Sequence, residues 1–404
     1  MQFRSVLLPT LLLLLSAMPT KLAAGGLTIE EARVIVTGHD VNRPDPFPGR
    51  GKFGWPGNIA RLSNNELILV HTAGYYHVSF AEPRNLEPTL RKNWLAEGWP
   101  VDYPAPTGGR SMRTLSRDGG RTWGKPETLI DLRLDDGAYG ILRCRDGTLL
   151  AFINVQASWY GYRSAPPEFE NDIDGLNTQQ CVVRSTDDGQ TWSKPIWLKS
   201  PATYYERSHA QPVELPDGGI LWPCYGVAKE KRGEFAVIHR SDDSGKSWRV
   251  VSTRRRDAPG KILDEPAITT LNDGRLLMVC RPDGGLFYSN DDAVTWTESG
   301  SIVRKGRFKA PRLFVLEDNT VVCVATYRRL NVFLGRDGGT SWTRPLPLDP
   351  TSYGYPGGLR LEDGSFLISY CSSGRAPNRI YVVRFRVNSE RDGIELLRID
   401  GASE

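Results

Sequence analysis

Short apolar runs broken by turn residues recur along this chain, and six stretches share one layout. In each, a strand-like run reaches Asp-Gly or a similar pair, and a second apolar run leaves it. The six lie at 55–71, 137–153, 209–226, 265–281, 309–328 and 355–371. Two β runs joined at such a pair form a hairpin. Between the hairpins a second pattern, S-x-D-x-G-x-[ST]-W, occurs five times, at 116–123, 185–192, 241–248, 289–296 and 335–342. Its Asp and Ser side chains suit a tight turn that bonds its own backbone, and its Gly supplies a left-handed position. Its Trp buries a ring between neighbouring sheets. A turn repeated in every unit is scaffold, so Asp118, Asp187, Asp243, Asp291 and Asp337 are not read as catalytic.

Each unit therefore reads as hairpin, variable loop, strand, Asp-box turn and strand, which is one four-stranded propeller blade. Six hairpins and five Asp boxes predict an all-β, six-bladed β-propeller. A last strand near 380–387, paired with residues near 31–36, closes the ring and removes exposed edges.

Composition narrows the picture. Gly (41) and Pro (28) favour many turns and few long helices. The 51 basic and 47 acidic residues nearly cancel, which argues against a nucleic-acid partner. The run Arg254-Arg255-Arg256 is read as a solvated loop. Residues 1–24 read as a secretory signal: Arg4, an apolar stretch at 6–18, then small residues at 23–24. Residues 25–404 are then one propeller domain, exported to a periplasmic or extracellular space, with no membrane span and acting as a monomer. The six cysteines show no CxxC or metal spacing and read as buried small hydrophobes. No metal or nucleotide motif appears, so no cofactor is expected.

The Asp boxes and the hairpin period resemble the sialidase (neuraminidase) superfamily over nearly the whole chain after residue 24. That resemblance implies a site on the face away from the Asp boxes, where the innermost strands begin and the second and third strands connect. Counting nine residues back from the hairpin turns at 218, 274 and 364 lands on His209, Glu265 and Tyr355; the same count in other blades reaches Trp55, Tyr139 and Lys309 or their neighbours. The resemblance implies Tyr355 as nucleophile and Glu265 as the group that takes its proton. A neutral phenol approaches a carboxylate-bearing anomeric carbon with less repulsion than a carboxylate does, but a phenol with a pKa near 10 needs a nearby base. Arg281, and Arg328 one blade on, resemble members of an arginine clamp for the substrate carboxylate, a task suited to a planar fork.

The chain also departs from that pattern. The first-blade arginine is absent from Gly54-Trp55-Pro56-Gly57, and the following loop has no Asp before Asp102. His77, Glu82 and Asp102 are the candidates for the missing acid. His209 is placed in the pore, His71 and His77 at the rim, and Glu206 with Arg207 as a salt bridge. Loops at 73–112, with a short helix near 86–97, and at 156–180, with Trp159, Tyr160 and Tyr162, suit stacking on sugars. The expected activity is a sialidase-like exo-glycosidase releasing a terminal acidic sugar. The alternatives are a polysaccharide lyase using His209 or Tyr355 as base, a hydrolase pairing Glu265 with Glu206, and a non-catalytic glycan-binding propeller.

Overall fold

A computed structural model of the chain describes residues 26–38, 52–74, 92, 109–130, 132, 135–156, 178–228, 231–257, 262–372 and 379–399. The described strands form six antiparallel sheets arranged as blades in a ring. Blade four shows the plan: inner strand Asp264–Thr270, then Leu276–Arg281, Gly285–Ser289 and outer Thr297–Ser301. The other inner strands are Lys52–Arg61, Asp135–Arg143, the short pair Tyr205–Arg207 and Val213–Glu214, Phe308–Val315 and Gly354–Arg360. Consecutive blades pack side by side, and blade six packs against blade one. Among the described residues no helix is long and apolar enough to cross a membrane.

The hairpin turns need left-handed backbone, and Asn65, Gly147, Gly218, Gly274, Asn319 and Gly364 supply it at φ between 62° and 89°. These residue types tolerate positive φ best. The second strands read as unbroken apolar runs because both faces are covered. In Leu276–Arg281, Leu276, Met278 and Cys280 pack toward blade three, while Leu277 and Val279 pack toward blade five. Side chains alternate across a strand, so a sheet between two others needs apolar residues at every position. All six cysteines are free and buried, five of them inside these interblade layers.

Four Asp boxes share one network. In the first, Ser116 Oγ donates to Asp118 Oδ1 (2.9 Å), and Asp118 accepts from Thr122 N (2.9 Å) and Thr122 Oγ1 (2.6 Å). The same bonds recur around Asp187, Asp243 and Asp291. The fifth box has Gly335 in place of Ser, because a Cβ there would lie 2.8 Å from the Trp342 ring. Backbone bonds from Gly339 N and Thr340 N to Arg336 O hold that turn instead.

The ring closes where Arg33–Gly38 pairs antiparallel with Arg379–Val387 of blade six. The pairing begins at Arg33 because Ile29–Ala32 is a helical turn, capped reciprocally by Thr28 and Glu31. The basic run at 254–256 departs from the solvated reading. Arg256 is buried, with Nη1 2.8 Å from Asp283 and Nε 2.7 Å from Glu298, and Arg255 covers the Phe235 ring.

Candidate functional site

The end of the ring opposite the Asp boxes is built from a repeated irregularity. In blades four, five and six the inner strand carries one extra residue against its neighbour. At each bulge a non-glycine residue takes positive φ: Glu265 at 46°, Ala310 at 46° and Tyr355 at 56°. A proline follows each of them, Pro266, Pro311 and Pro356. Such backbone costs about 1–3 kcal/mol per residue, and bulges re-aim side chains. Here the bulges bring three blades together. Glu265 Oε1 accepts from the Tyr355 hydroxyl at 2.7 Å, and Glu265 Oε2 accepts from the backbone N–H of Ala310 at 2.8 Å.

Arg281, at the end of the second strand of blade four, completes the group. Its Nη1 lies 3.2 Å from Glu265 Oε1 and 3.2 Å from Asp264 Oδ2. Among the described residues these contacts use only Nη1, which leaves Nε and Nη2 for another partner. Burial opposes the charge on Arg281, but Glu265 and Asp264 outweigh it and hold the guanidinium above its already high pKa. Burial, and then the Glu265 charge, push the Asp264 carboxyl well above the usual carboxylate range despite Arg281. Burial and the Glu265 carboxylate likewise raise the Tyr355 phenol well above its usual value. The phenol is therefore neutral and hydrogen-bonded to a carboxylate.

His209 sits between two tyrosine edges, with ring centroids 5.1 Å from Tyr139 and 5.1 Å from Tyr355. Its Nε2 contacts the Tyr225 hydroxyl at 3.0 Å, and its Nδ1 is buried with no partner among the described residues. Burial pushes the imidazole down to about 4, so it is neutral at pH 7. Lys309 Nζ donates to the Tyr353 hydroxyl at 2.5 Å, and Tyr353 stacks on Tyr355 with centroids 5.8 Å apart. Tyr139, Tyr353, Tyr355 and Cys371 form one apolar contact group.

Tyr355, Glu265, Arg281, His209, Tyr139 and Lys309 thus come from five blades to one place. Arg328 does not join them: it is the exposed tip of the tight hairpin between Val321–Tyr327 and Arg329–Arg336, at φ 65°. The Trp55 side chain, His77, Glu82, Asp102, the segment 86–97 apart from residue 92, and the loop aromatics Trp159, Tyr160 and Tyr162 lie outside the described residues.

Some neighbours differ from the sequence reading. Glu206 and Arg207 do not pair, since adjacent strand residues face opposite sides. Glu206 is fully buried against His239 Nε2 (2.7 Å), and Arg207 lies 4.5 Å over the Tyr205 ring. His71 is not at the rim. It is fully buried, with Nε2 3.1 Å from Thr114 Oγ1 and Nδ1 3.2 Å from the Thr72 carbonyl. Tyr225, Tyr353 and Asp264 were missed. Tyr225 had a signal, since Cys224-Tyr225 occupies the strand end that Cys280-Arg281 occupies one blade later, and Arg207↔Tyr225 pairs as Asp264↔Arg281 does.

Comparison with known proteins agrees with this architecture. The profile of the BNR repeat-like domain family matches residues 159–368, just over half of the chain. A sialidase of Micromonospora viridifaciens is 25% identical over 314 residues, covering 68% of this chain and 46% of the relative, so the chain spans just under half of that protein. Among solved structures, a protein of unknown function from Dyadobacter fermentans superposes with a TM-score of 0.66 at 17% identity, covering 91% of this chain and 98% of that one. The Hadza microbial sialidase Hz136 superposes with a TM-score of 0.62 at 18% identity, covering 83% of this chain and 66% of that one. Five Asp-box turns on a closed six-bladed ring, together with these matches, identify the chain as a member of the BNR repeat-like domain family, within the sialidase superfamily of β-propellers.

Proposed function

We propose that this chain is an exported sialidase-like glycoside hydrolase that releases a terminal acidic sugar, a sialic acid, from a glycan. The observation that carries the reading is the 2.7 Å hydrogen bond from the Tyr355 hydroxyl to Glu265 Oε1, with Arg281 beside it. In this reading Glu265 takes the phenol proton as the Tyr355 oxygen attacks the anomeric carbon, and the aglycone oxygen leaves with a proton from an acid. A covalent glycosyl-tyrosine forms, and water hydrolyses it with retention. A phenol raised by burial is a poor nucleophile alone, so the reaction needs the adjacent carboxylate.

The substrate carboxylate would take the remaining donors of Arg281 and the ammonium of Lys309, which has no carboxylate partner among the described residues. His209 offers to a sugar hydroxyl its Nδ1, which has no partner among the described residues, and the Tyr139 ring holds the imidazole edge-on. Trp55 and Arg328 are assigned to substrate contact, Arg328 from its exposed hairpin tip. The aglycone acid is sought among His77, Glu82 and Asp102.

A panel of aryl glycosides of sialic acid, uronic acids and neutral sugars tests the reading. Release of the aryl group from the α-sialoside, abolished by Tyr355→Phe, is the expected result. Activity confined to neutral arabinosides, or an unsaturated product from uronate polymers, would replace it.

A further inference from the structure

Below the bulges the inner strands run close together. Blade one carries the same bulge before Pro56, and the residue after the bulge proline is small in three of these four blades, Gly57, Ala267 and Gly357, and is Arg312 in blade five. The small residues have a reason. A Cβ on Gly357 would lie 2.2 Å from Gly57 O, and one on Gly57 would lie 2.7 Å from Val70 O. Hydrogen bonds stitch these strands together: Asn58 Nδ2 donates to Tyr139 O (3.4 Å), Gly358 N to Asn58 Oδ1 (3.0 Å), and Ser369 Oγ to Gly57 O (2.9 Å).

Arg312 extends into this packed centre toward blade six. Its Nε and Nη2 donate to the one carbonyl of Gly358, at 3.3 and 3.0 Å, and its guanidinium lies 4.5 Å over the Phe314 ring. Among the described residues it has no carboxylate partner, and Nη1 donates to nothing. The other two buried arginines among the described residues each have two carboxylate partners, Arg256 with Asp283 and Glu298 and Arg240 with Asp217 and Asp242. A buried cation without a counter-charge is costly, and arginine does not escape by losing its proton. Burial alone pushes Arg312 down to about 9, with no acidic neighbour acting on it, so it is still charged at pH 7. The residue is 9% exposed, so it is not sealed off from solvent.

We propose that Arg312 holds a small monovalent inorganic anion of the halide class between the inner strands of blades five and six, as part of the folded ring. The site contacts none of Tyr355, Glu265 or Arg281, so it stands or falls independently of the catalytic reading.

The test is a chloride titration at fixed pH and ionic strength, with methanesulfonate as the balancing anion. Above the dissociation constant, each tenfold rise in chloride should favour the folded state up to tenfold in the wild-type protein. Arg312→Met should remove that dependence. Should Arg312→Met fail to fold, bromide soaked into wild-type crystals decides, through an anomalous peak within hydrogen-bond distance of the guanidinium. Chloride dependence that persists in Arg312→Met, or a wild-type protein with neither chloride dependence nor a bromide peak, overturns the proposal.

Discussion

At the scale of single residues, the site is a set of groups whose protonation is fixed by burial and by each other. Tyr355 is neutral because ionising a buried phenol beside Glu265 is doubly unfavourable. Tyr355→Phe removes the nucleophile while keeping the ring's contacts with His209 and Tyr353. We expect kcat on an aryl α-sialoside to fall at least about 1,000-fold with little change in Tm. Glu265→Gln should lower kcat by about 100- to 10,000-fold. His71 makes a different prediction. Its folded pKa of about 4 lies below its ordinary 6.5, so the unfolded chain binds a proton that the folded one does not. Stability attributable to His71 is complete above pH 6.5 and is lost as the pH falls toward 4, at about 1.4 kcal/mol per pH unit. Urea unfolding of wild type and His71→Gln across that window checks this; equal slopes would remove His71 from the account.

At the scale of elements, the bulged inner strand and the Asp-box turn divide function from scaffold. Gly354 precedes the Tyr355 bulge at φ 129°, and a Cβ there would sit 2.2 Å from Thr326 Oγ1. Gly354→Ala should cost about 2 kcal/mol or more and should depress activity as well, because Thr326 Oγ1 also accepts from the Tyr355 N–H at 3.1 Å. Asp243→Ala in the third Asp box should cost about 1–2 kcal/mol in urea unfolding and leave kcat unchanged. A fall in kcat without a fall in stability would contradict the scaffold role. This scale was the most legible in the sequence. Turn chemistry is local, so the six hairpin positions and five boxes appear in the residues themselves, and a fixed count back from each turn reaches Glu265, Tyr355 and His209. Partners set by side-chain direction were less legible. Glu206 and Arg207 are neighbours in sequence yet face opposite sides, and the buried ion pairs of Arg256 join residues far apart in the chain. Asp264 was visible but carried no signal, since its raised pKa comes from burial and from Glu265.

At the scale of the whole molecule, the ring makes a site from residues spread over 139–355 that no single blade could assemble. Closure depends on Arg33–Gly38, anchored by Arg33 Nη1 at 3.0 Å from the buried Asp349. Deleting residues through Gly38 should expose the 379–383 half of the strand Arg379–Val387, whose other half stays paired with Ile394–Leu397, lower Tm and promote association, read by calorimetry and light scattering. An unchanged Tm would mean that the ring holds without its terminal strand. The catalytic claim depends on the ring bringing Tyr355 to an anomeric carbon. It is tested most directly by trapping the protein with a fluorinated sialosyl inactivator and mapping the adduct by peptide mass spectrometry. The account predicts one added sugar on the peptide containing Tyr355, lost in Tyr355→Phe; an adduct on Glu265 or any other residue would contradict it.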